Sequence, residues 1–341
     1  MIDFFHRHQS ALRRLSFLLL AAVLGLLLIA QIAAFAAARI FSYAMNRQHM
    51  LRGHISVEKI SADIAGYVSF ENLLWTDDHG VPILFVPEGK IKVRPEDILR
   101  GKLRATAISD IRLRNASAAL QFDKNMDVDL INKTAAESEP VQERTKTLHE
   151  KIANFKRNGQ KMKMNIHLEN CQLEAFYENR HFLLSHVDMH LNIDTDDSLF
   201  VDLSSGKFGG TAIGDSVKIY GDIDMKNDEH TIAMNVSFYG VDPASLGLGN
   251  NIHDKLTLIA EAGGPVASPK AEGKITMEQL HIPALSFSHL DGHVFYHHGK
   301  MKFTDVTGRV YGGTVKASGN YDIDTRAYNI HLAGKKLDSR Y

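Results

Sequence analysis

A single cysteine, Cys171, rules out an intramolecular disulfide framework and any multi-cysteine metal or iron–sulfur centre. Charge of one sign is equally scarce, with 39 basic residues against 40 acidic ones and a formal net charge of −1. A chain-wide nucleic-acid footprint requires a clear basic excess, so no nucleic-acid partner is expected. The same balance, with 44% hydrophobic residues, rules out an acidic disordered chain. Nucleophile elbow, Walker loop, dinucleotide fingerprint and zinc-protease motif are all missing. Carboxylate pairs such as Asp222 with Asp224 fall on the polar side of a strand pattern with no concave site around them. No catalytic residue, metal site or cofactor is therefore assigned, and no enzymatic activity is expected.

What is present begins at the N-terminus. From Leu15 to Ala38 only Ser16 and Gln31 interrupt an apolar run that includes Leu20, Leu24, Leu28 and Phe35. As a helix it would be roughly 36 Å long, enough to cross a hydrocarbon core of about 30 Å with some tilt. A cleaved secretory signal competes with this reading. Arg7, Arg13 and Arg14 make a basic leader, and Ala34-Phe35-Ala36 or Ala36-Ala37-Ala38 offers a small-residue cleavage site. The run exceeds the usual signal core of about 7–15 residues, which favours an uncleaved anchor. Orientation is nearly a tie, because Arg39, Arg47 and Arg52 follow the span. A large following domain can translocate largely regardless of charge, so a division into a cytoplasmic tail at 1–14, a transmembrane signal anchor at 15–38 and the bulk outside stays open.

Beyond residue 53 the dominant period is two. Met162, Met164, Ile166 and Leu168 alternate with polar neighbours, and so do Val187, Met189, Leu191 and Ile193. The pattern recurs at Val217 to Met225, at Ile232, Met234, Val236 and Phe238, and at Tyr328, Ile330 and Leu332. Successive strand side chains point to opposite faces, so each run has one apolar and one polar side, as in antiparallel sheet with one wet face. Gly206-Lys207, Lys226-Asn227-Asp228, Asp291-Gly292, His298-Gly299-Lys300 and Asp324-Thr325 read as turns between strands. Helices are few: one turn at Pro95 to Leu99, and an amphipathic stretch at Val141 to Lys156 with Leu148, Ile152 and Phe155 on one stripe. So many one-sided strands leave a long apolar face with little helix to cover it. A sandwich, a closed barrel or a curled sheet holding something in its concave side would each resolve this, and patterning does not choose among them.

Histidine is abundant, at 18 residues, and His281, His289, His293, His297 and His298 cluster in sequence. On a strand, however, His289, His293 and His297 would span about 13 Å of one face, too far to share one ion, and a solvated face is expected. Asp194, Asp196 and Asp197 lack the glycine and distal glutamate of a calcium loop and read as turn acids. Cys171 reads as a packing residue.

Phe208-Gly209-Gly210-Thr211 recurs as Tyr311-Gly312-Gly313-Thr314, and the glycine-led strands at Gly221 and Gly319 follow in turn. These units, with the anchor, His54-Ile55-Ser56-Val57, Gly66 to Leu73, Gly89 to Arg94, Gly101 to Arg114 and Gly264 to Gly273, resemble the AsmA-like superfamily, TamB-type proteins included, of double-membraned bacteria. The resemblance implies a mainly β protein: an N-terminal transmembrane helix followed by a long, curled, taco-like antiparallel sheet with few short helices. It divides the body into a chorein-like module at 53–130, a linker with an amphipathic helix at 131–160, and a repetitive groove region at 161–341. It further implies inner-membrane anchoring, a periplasmic bulk, and phospholipid as the partner. The groove is assigned to Val68, Phe70, Met162, Met164, Ile166, Leu168, Val187, Met189, Leu191, Ile193, Ile232, Met234, Val236, Phe238, Ile330 and Leu332. The alternative is a structural tether that assists outer-membrane protein assembly, with a β-barrel or other envelope partner.

Overall fold

The computed structural model describes residues 53–93, 108–122 and 162–338, apart from positions 64, 178, 228, 246–253, 267, 283–284, 323–324 and 326. The anchor span and both expected helices lie outside these residues, as does the part of the Gly101–Arg114 strand before Ile108. Among the described residues there is no helix, and hence none long and apolar enough to cross a membrane. Over the same residues the protein is mainly β, built on one long sheet of eighteen strands.

The first strands are β1 (His54–Ser56), β2 (Lys59–Ala62), β3 (Tyr67–Thr76), β4 (Pro82–Val93), β5 (Ile108–Arg114) and β6 (Ser117–Phe122). The middle of the chain forms β7 (Lys163–Tyr177), β8 (Arg180–Asp194), β9 (Ser198–Ser205), β10 (Phe208–Gly210), β11 (Ser216–Asp224) and β12 (Thr231–Val241). A plain meander completes the sheet with β13 (Leu256–Pro265), β14 (Lys270–Ile282), β15 (Leu285–His297), β16 (Lys300–Val310), β17 (Gly313–Asp322) and β18 (Tyr328–Lys335). Three pairs of short strands share a lane. β1 and β2 both lie along β3, β5 and β6 run between β4 and β7, and β9 and β10 both pair antiparallel with β8.

Two expectations need correction. The sheet is not wholly antiparallel, because β5 and β6 both pair with β7 in parallel. Alternation cannot reveal this, since the side-chain period is two in either pairing, and a parallel return needs a long crossover, here the segment 123–161. Hydrogen bonding therefore runs from the 53–130 segment directly into the 161–341 segment. Second, Gly206-Lys207 does not reverse the chain, and Asp291-Gly292 lies inside β15. A Cβ at Gly292 would stand 2.6 Å from Val306 Cγ2, so close strand approach explains that glycine. Thr325 and His298-Gly299 do sit in turns, and Asp194 to Asp197 make the β8–β9 turn, with Asp194 Oδ1 accepting the Asp196 N–H at 3.0 Å.

A line of bulges crosses the first half of the sheet. Asn72, Asn115, Asn170 and His186 have φ of 52°, 53°, 51° and 49°, a left-handed conformation that Asn tolerates because its side chain finds local hydrogen bonds. Those bonds are present: Asn72 Nδ2 donates to Glu58 Oε2 at 2.6 Å, and Asn170 Nδ2 donates to Asn115 Oδ1 at 2.7 Å. His186 Nδ1 lies 2.7 Å from Asn170 Oδ1. Pro87 sits in β4 on the same line, where its missing N–H costs no ladder bond. At each bulge two consecutive side chains face outward, so the next apolar residue returns to the inner face and the strand bends.

Candidate functional site

Directly opposed residues in a sheet project to the same side, so the registers define the inner face. Phe70 opposes Gly89, and the series continues through Leu113, Leu168, Met189, Leu203, Ile219, Val236, Ala260, Gly273, Val294, Phe303 and Gly319 to Ile330. A second row starts at Val68 and Ile91, passes Ile166, Leu191 and Met234, and ends at Tyr321 and Tyr328. Met164, Ile193 and Ile232 lie on a third, Val217 and Phe238 on a fourth, and Leu332 opposes Ala317. The groove residues assigned from sequence thus fall on one face, except Met162, which precedes β7 and whose backbone N–H donates to Thr195 Oγ1 at 3.0 Å.

The face differs along its length. From β3 to β12 it is packed: Phe70, Leu73, Val86, Ala116, Cys171, Val187, Leu203, Phe208, Val217 and Val241 form one buried cluster, with Val86 and Val187 at zero exposure. Burying each such side chain contributes about 1.5–3 kcal/mol. Cys171 belongs to this cluster, and burial pushes its thiol above the ordinary value, against the nucleophilic thiolate.

From β13 to β18 the face opens into a cavity of about 440 Å³. Ile275, Met277, Leu290, Phe303, Val306 and Leu332 are among its walls, with Leu280, Phe287 and Val315 beside them and Tyr321 and Tyr328 at the other side. In a flat sheet β13 and β18 would be about 24 Å apart at roughly 4.8 Å per strand. The cavity nonetheless reaches from Leu256 of β13 to Leu332 of β18. The lining is predominantly apolar.

Of the residues assigned from sequence only Ile330 and Leu332 line this cavity. The rest of its wall was missed because bulges shift the alternation. In β15, Leu285 and Phe287 face inward, then His289 at φ 51° resets the phase to Leu290, Gly292 and Val294; in β16, Asp305 at φ 51° does the same between Phe303 and Val306. A histidine or aspartate between two apolar pairs out of step is the signal that would have found them. The anchor residues Leu15, Leu20, Leu24, Leu28 and Phe35 lie outside the described residues.

The outer face is polar and ion-paired over its first half, as with Arg114 and Glu169 at 2.9 Å, Lys163 and Asp194 at 2.8 Å, and Lys226 and Asp197 at 2.5 Å. The clustered histidines take different partners: His281 meets Asp254 at 2.9 Å, His289 meets Glu278 at 3.4 Å, and His297 and His298 lie at a hairpin with their rings tilted by 55°. Among the described residues no three metal-binding side chains converge. His167 and His190 stack across β7 and β8 with ring centroids 4.5 Å apart. Desolvation first, then His190 and Arg112, hold the His167 imidazole below its ordinary value, against the opposing pull of Asp110. The depressed value means that the unfolded chain binds this proton more readily. The associated stability is present above about pH 6.5 and is lost as pH falls through the lower folded value. The thermal midpoint of His167→Gln should accordingly vary less between about pH 7 and 5 than the parent's; an unchanged profile would contradict this.

The chain matches no family model, no curated protein and no solved structure.

Proposed function

We propose that the chain is a membrane-anchored envelope protein, similar to the AsmA-like superfamily, that carries phospholipid acyl chains on the apolar concave side of its taco-like sheet between inner and outer membranes. Residues 15–38 anchor it in the inner membrane, and the sheet stands in the periplasm. The observation that carries this reading is the open apolar cavity from β13 to β18, continuous in register with the apolar face of every earlier strand. At about 30 Å³ per liquid-density heavy atom, 440 Å³ holds roughly fifteen atoms, the size of one acyl chain.

A photocrosslinking residue placed at Phe303 of the full chain in native membranes should label phospholipid acyl chains, while one at Thr307, outward on the same strand, should not. Leu290→Asp puts an unpaired carboxylate in the cavity wall and should cut labelling about tenfold, with Lys218→Gln on the outer face as the neutral control. Equal labelling from positions 303 and 307 would sink the proposal.

A further inference from the structure

The last four strands depart from the charge balance of the others. On their outer face stand Lys300, Lys302, Arg309, Lys316 and Lys335, with Lys336 just beyond; all are exposed and none has an ion-pair partner among the described residues. Elsewhere Lys59, Arg112, Arg114, Lys163, Lys226, Lys255 and Lys274 each hold a carboxylate, while Lys90, Lys92, Arg180, Lys207, Lys218 and Lys270, which do not, are dispersed between β4 and β14. Arg309 and Lys335 share one cross-strand row through Thr314, and Lys316 sits two residues along from Thr314. Acids on this face are fewer. Asp291 is held by Lys274, Asp322 accepts the Thr325 N–H at 2.9 Å, and Asp305 remains.

The other side of the same edge is apolar. Tyr328, Ile330 and Leu332 of β18 are 65%, 58% and 60% exposed, and all three also line the cavity. β18 pairs only with β17, so one row of its N–H and C=O groups is open among the described residues.

We propose that this edge of the sheet docks on an anionic lipid bilayer, its basic outer face against the headgroups and its Tyr328–Leu332 lip in the headgroup–acyl boundary. Charge complementarity selects the anionic surface, because six exposed cations without an ion-pair partner among the described residues stand on or just beyond β16 to β18, beside the apolar lip and the cavity mouth. The lip stays at the boundary, since the open backbone row of β18 cannot be satisfied in hydrocarbon. Docking there sets the cavity beside the acyl layer. The inference deepens the lipid-carrying reading and rests on it only for what the docked edge delivers.

The test uses the full chain reconstituted in phosphatidylcholine vesicles, mixed with dense target vesicles of phosphatidylcholine alone or of equal parts phosphatidylcholine and phosphatidylglycerol. Co-sedimentation should occur with the anionic targets and weaken as salt shortens the screening length. Each basic residue near an anionic surface contributes about a fivefold gain in partition. The Lys302→Ala, Arg309→Ala, Lys316→Ala triple variant should therefore lose capture by about a hundredfold. Equal capture of both targets, or undiminished capture by a triple variant with unchanged circular dichroism, would overturn the proposal. The triple variant should keep its acyl crosslink at position 303, and Leu290→Asp should keep capture, so failure of docking and failure of lipid binding are told apart.

Discussion

Phe70→Ala should cost about 3–5 kcal/mol of stability, the usual price of emptying a buried aromatic site. Phe70 is 3% exposed and belongs to the cluster that runs from β3 to β12. Its ring also lies over the backbone of its cross-strand partner, so that a Cβ built at Gly89 would stand 2.3 Å from the ring's Cζ. The glycine leaves a hole in the inner face and the phenylalanine fills it; neither residue makes sense without the other. Gly89→Ala alone should cost about 1–3 kcal/mol by overpacking. In the Phe70→Ala, Gly89→Ala double variant the added methyl occupies space the ring has vacated, and the combined loss should fall short of the sum by about 1 kcal/mol or more. Denaturant unfolding followed by fluorescence of Trp75, the single tryptophan, which packs against the same cluster, reads all three. Strict additivity would show that the ring and the glycine act separately.

The same pairing shows how far this fold can be read from residues alone. β7, β8, β11 and β12 announce themselves because each holds an unbroken alternation for several residues, and the face they bury follows at once. Alternation also reports its own phase only between bulges. Asn72, Asn170, His289 and Asp305 each turn two neighbouring side chains outward, so an apolar residue after the bulge looks out of step although it lies on the same face. The cavity wall suffered most, because β15 and β16 carry bulges where the cavity is lined. Pairing direction was out of reach for a different reason: Asp110 to Arg114 would look the same beside Asn165 to Glu169 in either orientation. The repeat was half real. Phe208-Gly209-Gly210 is a strand and Tyr311-Gly312 a turn. Gly221 and Gly319, by contrast, occupy equivalent positions, each with a partner-strand carbonyl where its Cβ would be, Ala233 O at 2.1 Å and Asn329 O at 2.4 Å.

Gly221→Ala should be among the most damaging single-methyl changes in the sheet, at about 3 kcal/mol or more. Two effects coincide there. The backbone has φ 152°, a region that side-chain-bearing residues rarely adopt, and the new Cβ would meet Ala233 O at 2.1 Å and Met234 Cα at 2.6 Å. Both obstacles are backbone atoms of β12 in the middle of the sheet, so no side chain can rotate away. Relief requires β11 and β12 to separate, and they are bonded in register from Ser216 opposite Tyr239 to Ile223 opposite Ile232. Gly209→Ala is the matched control: nothing lies within 4 Å of its Cβ and its φ is not left-handed, so the change should stay within about 0.5 kcal/mol. A thermal-unfolding comparison decides it. Equal midpoints for the two variants would mean that the strands part at no cost, and the inner face would then not be the continuous surface that the proposed carriage of an acyl chain requires.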